Sequence, residues 1–142
     1  MHFYETRRNI AAPAHIIWSI LTDADQLQSG RFGIKRIEGR IKPGEKIKLW
    51  SDISPERAFA LKVTEFDPNR KMVWQGGMPF GLFRGTRRFT LRSSNNDETE
   101  FHMREDFTGP LVKLIWKSMP DLGPSFETFA DAITHLAEEQ NK

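Results

Sequence analysis

Two charged residues interrupt an otherwise apolar alternation near the middle of the chain. One run places Phe83, Gly85, Arg87, Phe89 and Leu91 at every second position; a later run does the same with Thr99, Phe101, Met103, Glu105 and Phe107. An arginine or a carboxylate alone on such a face is expensive, whereas a hydrogen-bonded pair persists. Such a pair could orient a ligand carbonyl or carboxylate, or move a proton; it could equally be an ion pair that ties two strands together. Its surroundings are aromatic but almost free of hydroxyls, with 11 Phe, 4 Trp and 1 Tyr in the chain. Side chains of this kind build a core or line a cavity for an apolar guest. The candidate ligand-binding set is therefore Arg87 and Glu105 with Leu61, Trp74, Phe89, Phe101, Met103, Phe107, Phe126 and Phe129.

Other chemistries find no support. The chain has no cysteine, which removes thiol nucleophiles, disulfides, thiolate zinc and cysteine-held iron–sulfur clusters. His2, His15, His102 and His135 are scattered without metal-binding spacing. No Gly-x-Ser-x-Gly elbow is present. The glycine-rich stretch 76–85 (GGMPFGLFRG) is not followed by Gly-Lys-Ser/Thr, so it is no phosphate loop; it reads as a bent or mobile hairpin at a pocket entrance, or as an ordinary turn. No metal, cofactor or catalytic residue is assigned. The formal charge of +2 implies no polyanionic partner by itself. Residues 31–48 hold seven Lys/Arg against two Glu, but without interleaved aromatics to stack on bases, so nucleic acid is not expected. No apolar run is long enough to span a membrane and no apolar leader opens the chain. A cytoplasmic setting follows as the expectation. Oligomeric state is left open.

The elements that must position these residues follow from periodicity. With 142 residues, one domain covering 1–142 is expected, hiding roughly 68% of its unfolded surface without a staple. Residues 2–10 read as a strand of undetermined phase. Pro13 opens a helix running to about Asp23, with Ile17, Ile20 and Leu21 on one stripe; a short helical turn over 24–30 follows. From Gly33 to Gly109 the period is two. Ile37, Gly39 and Ile41 share one strand face. Ile47, Leu49, Ser51 and Ile53 continue it, with a turn at Ser54-Pro55-Glu56. Phe59, Leu61 and Val63 come next, then a turn at Asp67-Pro68-Asn69, then Met72, Trp74, Gly76 and Met78. The hairpin closed by 93–97 sets Gly85 opposite Glu105 and Arg87 opposite Met103, making Arg87 and Glu105 diagonal neighbours on one face. Arg84, Arg88 and Arg92 then face outward against Glu100, Arg104 and Asp106, as does His102. Residues 110–118 form a short helix, a kink falls near 119–124, and a main helix spans 125–140. Met119, Leu122, Phe126, Phe129, Ile133 and Leu136 make its apolar stripe. This helix must cover the single apolar sheet face. Gly39, Gly76 and Gly85 favour bending of that sheet.

This order, and three stretches of text, resemble the START-like helix-grip (SRPBCC) superfamily. IAAPAHIIWSILTD (10–23) is similar to its opening motif, VTEFDPNRKMVWQG (63–76) to its mid-chain hairpin, and TEFHMREDFTGPL (99–111) to its final strand. The nearest subgroup is polyketide cyclase/dehydrase-like. Region 27–45 lacks the Trp and paired Gly usual in the chaperone-ATPase activators of the same superfamily. The resemblance implies an α+β fold: a curved antiparallel sheet of about seven strands wrapped around a long C-terminal helix, with two short helices after the first strand. It also implies a hollow between sheet and helix for a hydrophobic or amphipathic small molecule of lipid, polyketide or aromatic type. Two alternatives stand beside that. One is a cyclase- or dehydratase-like enzyme using Glu105 as acid/base. The other is a protein-binding module, like the chaperone activators, acting through the basic 31–48 surface.

Overall fold

The computed structural model describes residues 1–142. In chain order the elements are β1 (His2–Ile10), α1 (Ala14–Leu21), α2 (Ala24–Leu27), β2 (Ile34–Glu38), β3 (Lys46–Ser51), β4 (Ser54–Asp67), β5 (Lys71–Gly77), β6 (Arg84–Asn95), β7 (Glu98–Thr108), α3 (Val112–Ser118) and α4 (Gly123–Gln140). A 3₁₀ turn at Pro79–Gly81 joins β5 to β6. All strands belong to one antiparallel sheet with the order β1-β7-β6-β5-β4-β3-β2. The first strand therefore pairs with the last. The rest follow as successive hairpins, and α4 lies over one face. This is the helix-grip architecture.

Local chemistry accounts for the boundaries. Pro13 stands at the N-cap of α1, and Asp23 caps α2 by accepting from the N–H groups of Asp25 and Gln26, as a short acidic cap should. Ile17, Trp18, Ile20 and Leu21 of α1 are buried, and Trp18 packs edge-on against Phe66. A bulge between Val63 and Glu65 lets Val63 and Phe66, three residues apart, share the inner face despite the period of two. On α4, Phe126, Phe129 and Ile133 are buried and Leu136 is partly so, as is Leu122 at its N-cap, which matches the expected stripe except for Met119, which lies outside this helix. Pro124 sits in the first turn of α4, and Met119 is extended between α3 and α4. The break at 119–122 is thus a change of direction between two helices.

Three details differ from the sequence expectations. β2 ends at Glu38, because Gly39 adopts φ +103° and turns the chain away; Ile41 is buried beyond the strand end. The β3–β4 turn is at Asp52-Ile53, and Ser54-Pro55-Glu56 belongs to β4. Pro55 is tolerated there because it falls in a register irregularity opposite β3, where no ladder N–H is required. Most consequential is the β6–β7 hairpin. Only Asn96 and Asp97 separate the pair Asn95↔Glu98, and a bulge follows at Ser93/Asn95. Compared with a five-residue turn, this shifts the register by two residues. Faces are conserved, but Arg87 lies directly opposite Glu105, and Gly85 opposite Phe107.

Candidate functional site

Reading the registers across the sheet gives one row of inner-face residues: Tyr4 (β1), Glu105 (β7), Arg87 (β6), Trp74 (β5) and Val63 (β4). Directly opposed residues in antiparallel strands share a face, so the arginine and the carboxylate stand side by side between aromatic neighbours. Nε of Arg87 donates to Oε1 of Glu105 at 2.7 Å, and Nη2 approaches the same oxygen at 2.7 Å. The hydrogen bond between them uses Nε and Oε1, not Nη1 or Oε2. The Arg87 side chain is 22% exposed and that of Glu105 16%, so the pair sits at the rim of the interior. The guanidinium carbon lies 4.9 Å from the centre of the Phe126 ring on α4, a cation–π contact that fixes its plane.

Two glycines make room for this arrangement. Gly76 and Gly85 are directly opposed in β5 and β6. A Cβ on Gly85 would come within 2.7 Å of Oε2 of Glu105, and one on Gly76 within 2.6 Å of the Ala60 carbonyl and 2.7 Å of Leu61. The carboxylate and the half-buried Leu61 thus lie over backbone that only glycine leaves open.

Above the ion pair is an aromatic cap. Trp116, from α3, lies 5.3 Å from Tyr4, 5.7 Å from Phe107 and 5.0 Å from His2. Tyr4 also meets Phe126 at 5.7 Å, and Phe83 stacks on Phe107 at 5.8 Å. Below it the interior is filled. Phe129 contacts Phe32, Phe89 and Phe101 with centroid separations of 5.0, 5.8 and 6.3 Å, and Trp74 meets Phe89 edge-on at 4.9 Å. Trp74, Phe89, Phe101, Met103 and Phe129 are all essentially inaccessible. The expected continuous hollow beneath α4 is therefore closed along its floor by interlocked rings. Of the ten expected residues, the structure gathers Arg87, Glu105, Phe107 and Phe126 at the upper end. It places Leu61 beside Gly76 and the other five in the packed floor. The indole N–H of Trp74, directly opposite Arg87, is buried without a hydrogen-bond partner, a condition that costs about 1–3 kcal/mol. Two open surface depressions lie elsewhere. One of about 280 Å³ is bordered by 22–25 and 39–42, and one of about 490 Å³ lies on the outer face around Arg7, Arg70 and His102.

Tyr4, Phe83 and Trp116 belong to this end of the grip and escaped the sequence reading. So did Arg8, on the same inner face of β1. It donates to Glu127 and, at 3.1 Å, to Asp131, one turn apart on α4, and also to Thr6 at 2.8 Å. The hydrogen bond to Glu127 raises the Arg8 pKa, and the reciprocal bond lowers that of Glu127. The signal for β1 was the alternation Tyr4, Thr6, Arg8, Ile10, whose phase Ile10 could have set. On the opposite face, His102 bonds Glu5 at 2.8 Å, which lowers the Glu5 pKa, and Asp106 binds both Arg88 and Arg104. That outer face is an ion-pair lattice, as expected. No three of the His, Asp and Glu side chains converge as a metal site requires, and no helix is long and apolar enough to cross a membrane.

The comparisons with known proteins bear on this geometry. No curated protein matches the sequence. Among solved structures, the Zhui aromatase/cyclase from Streptomyces sp. R1128 superposes with a TM-score of 0.74 at 14% identity, covering 99% of this chain and 96% of that one. A START superfamily protein from Mycobacterium smegmatis gives 0.70 at 20% identity, covering 99% of both chains. The Aha1 dimer from Colwellia psychrerythraea gives 0.72 at 20% identity, covering 97% of both. At these identities the likeness is one of fold. The sequence itself carries the closer relation: the family model described as polyketide cyclase/dehydrase and lipid transport matches residues 1–138, and with the helix-grip architecture in place the chain belongs to that family.

Proposed function

We propose that the protein binds an amphipathic small molecule at the upper end of the grip. Its polar end would engage Arg87 and Glu105, and its apolar body would lie among Tyr4, Phe107, Trp116 and Phe126. The observation that carries this reading is the Arg87–Glu105 pair itself. It stands on the inner face of the sheet, ringed by aromatic side chains, and retains access to solvent. A pair that only joined two strands would serve equally well on the outer face, which already holds a lattice of such pairs. The packed floor limits the guest to the upper end. Family membership, in a group described by cyclase, dehydrase and lipid-transport activities, supports a hydrophobic guest. A cytoplasmic setting, argued from the absence of cysteine, belongs to the same proposal.

The test uses anilinonaphthalene sulfonate, an aromatic anion that fluoresces in apolar surroundings, in titrations of wild type, Arg87→Ala and the outward Arg88→Ala. Loss of a charge-assisted hydrogen bond is worth about 1.5–3 kcal/mol, so Arg87→Ala should weaken binding about tenfold or more while Arg88→Ala leaves it within about twofold. Equal effects of the two substitutions, or no binding by wild type, would remove Arg87 from the site. Native mass spectrometry of freshly purified protein then shows whether a small molecule is retained. The enzymatic alternative makes a different forecast: with a turned-over substrate in hand, Glu105→Gln abolishes turnover and keeps binding.

A further inference from the structure

The β5–β6 connection and α3 form a tip that carries, besides the inward Phe83 and Trp116, four apolar side chains turned to solvent. Phe80 is 99% exposed, Leu114 69%, Met78 43% and Leu82 36%. Phe80 also adopts φ +61°, ψ +21°, a left-handed conformation that an aromatic residue occupies at a cost. Nothing in the chain repays it, since the ring touches solvent on all sides. The two segments are one surface. The Leu111 N–H donates to the Leu82 carbonyl at 3.0 Å, and a Cβ on Gly109 would come within 2.5 Å of that carbonyl and 2.7 Å of the Gly81 carbonyl. Leu114 lies one turn beyond Leu111 and is flanked by the exposed Lys113 and Lys117.

Charge identifies what this surface fits. Between Gly76 and Arg88, and again between Thr108 and Pro120, there is no Asp or Glu; the exposed charges are Arg84, Lys113 and Lys117. A few apolar side chains projecting from a rim of cations suit the boundary of an anionic bilayer, where the rings and methyls enter the acyl region and the lysines stay at the headgroups. We infer that this tip docks the protein peripherally on anionic lipid membranes, with Phe80 and Leu114 inserting and Arg84, Lys113 and Lys117 pairing with headgroups. Docking stands independently of the ligand reading. If that reading holds as well, the surface is well placed for transfer, because α3 carries Trp116 on its inward side and Leu114 on its outward side.

The experiment is co-sedimentation of the full chain with phosphatidylglycerol-containing vesicles and with pure phosphatidylcholine vesicles, no other ligand present. Wild type should pellet with the anionic vesicles, and both the Phe80→Ser/Leu114→Ser and the Lys113→Glu/Lys117→Glu variants should bind at least about tenfold more weakly. These positions are solvent-exposed, so melting temperatures should match wild type, which separates a docking defect from misfolding. Absence of wild-type binding, equal binding to neutral vesicles, or unchanged binding by both variants overturns the inference. So does a lipid-free dimer, seen by analytical ultracentrifugation, that Phe80→Ser/Leu114→Ser dissolves; the tip would then be an interface between copies of this chain. Because no small molecule enters the assay, its outcome is separate from that of the fluorescence titration.

Discussion

Gly85 shows how much of the site rests on a missing side chain. Its backbone is ordinary for a strand, so alanine is conformationally acceptable; what the extra methyl meets is the end of the Glu105 side chain. That end can rotate away, but the rotation also turns Oε1, the oxygen that accepts from Arg87. Gly85→Ala should therefore melt within a few degrees of wild type and bind anilinonaphthalene sulfonate more weakly. Gly76→Ala differs, because its methyl would meet the Ala60 carbonyl, and backbone cannot rotate away. Overpacking of that kind costs about 1–3 kcal/mol, visible as a lowered denaturation midpoint. Equal stability of the two variants would show that the sheet is softer here than the contacts imply.

At the scale of elements, the helix is held to the sheet by charge as well as by packing. Arg8 reaches from β1 to Glu127 and Asp131, and Glu138 accepts from the Ala11 N–H. The bond from Arg8 sets the Glu127 pKa below its ordinary 4.5. The sign follows directly. A carboxylate with a depressed folded pKa adds stability that is present above 4.5 and disappears as pH falls through the folded value. Both acidic partners are largely exposed, so the contribution is about 1 kcal/mol or less. Thermal melts taken downward from pH 5 should show a shallower acid loss in Arg8→Ala than in wild type; parallel curves would mean the clamp is fully screened. This clamp also marks the limit of legibility. The inner faces of β5 to β7 and of α4 could be read from alternation and from the 3–4 stripe, because one buried face imposes its period on every residue it holds. Arg8 was harder to read, because β1 mixes polar and apolar residues on both faces and only Ile10 at its end sets the phase that places Arg8 inside. The β6–β7 register was missed for another reason. Turn residues 93–97 are all compatible with a loop, and choosing two of them over five depends on a bulge that leaves the faces unchanged.

For the whole molecule, the grip is closed at one end and polar at the other. The floor is built around Phe129, whose ring meets three others. Phe129→Ala should lower stability by about 3–5 kcal/mol and open space into which small apolar probes enter. Phe126→Ala, which removes the ring over Arg87, should impair binding of the anionic probe beyond its effect on stability. If both truncations act alike in both assays, floor and upper end are one continuous compartment. Whether a cavity opens could not be read from sequence, since the same phenylalanines satisfy a lined pocket and a filled core; rotamers and the placement of α4 decide between them.

The pairing of β1 with β7 has a consequence for biosynthesis. β1 is made before the other six strands, so it must wait for all of them until β7 arrives, and α4, which its arginine holds, comes later still. Until then β1 offers an unpaired edge to any neighbouring nascent chain, and closure over so long a loop is slow. A shortened polypeptide lacking the final helix would leave the inner sheet face bare and should be captured by chaperones or lost to aggregation.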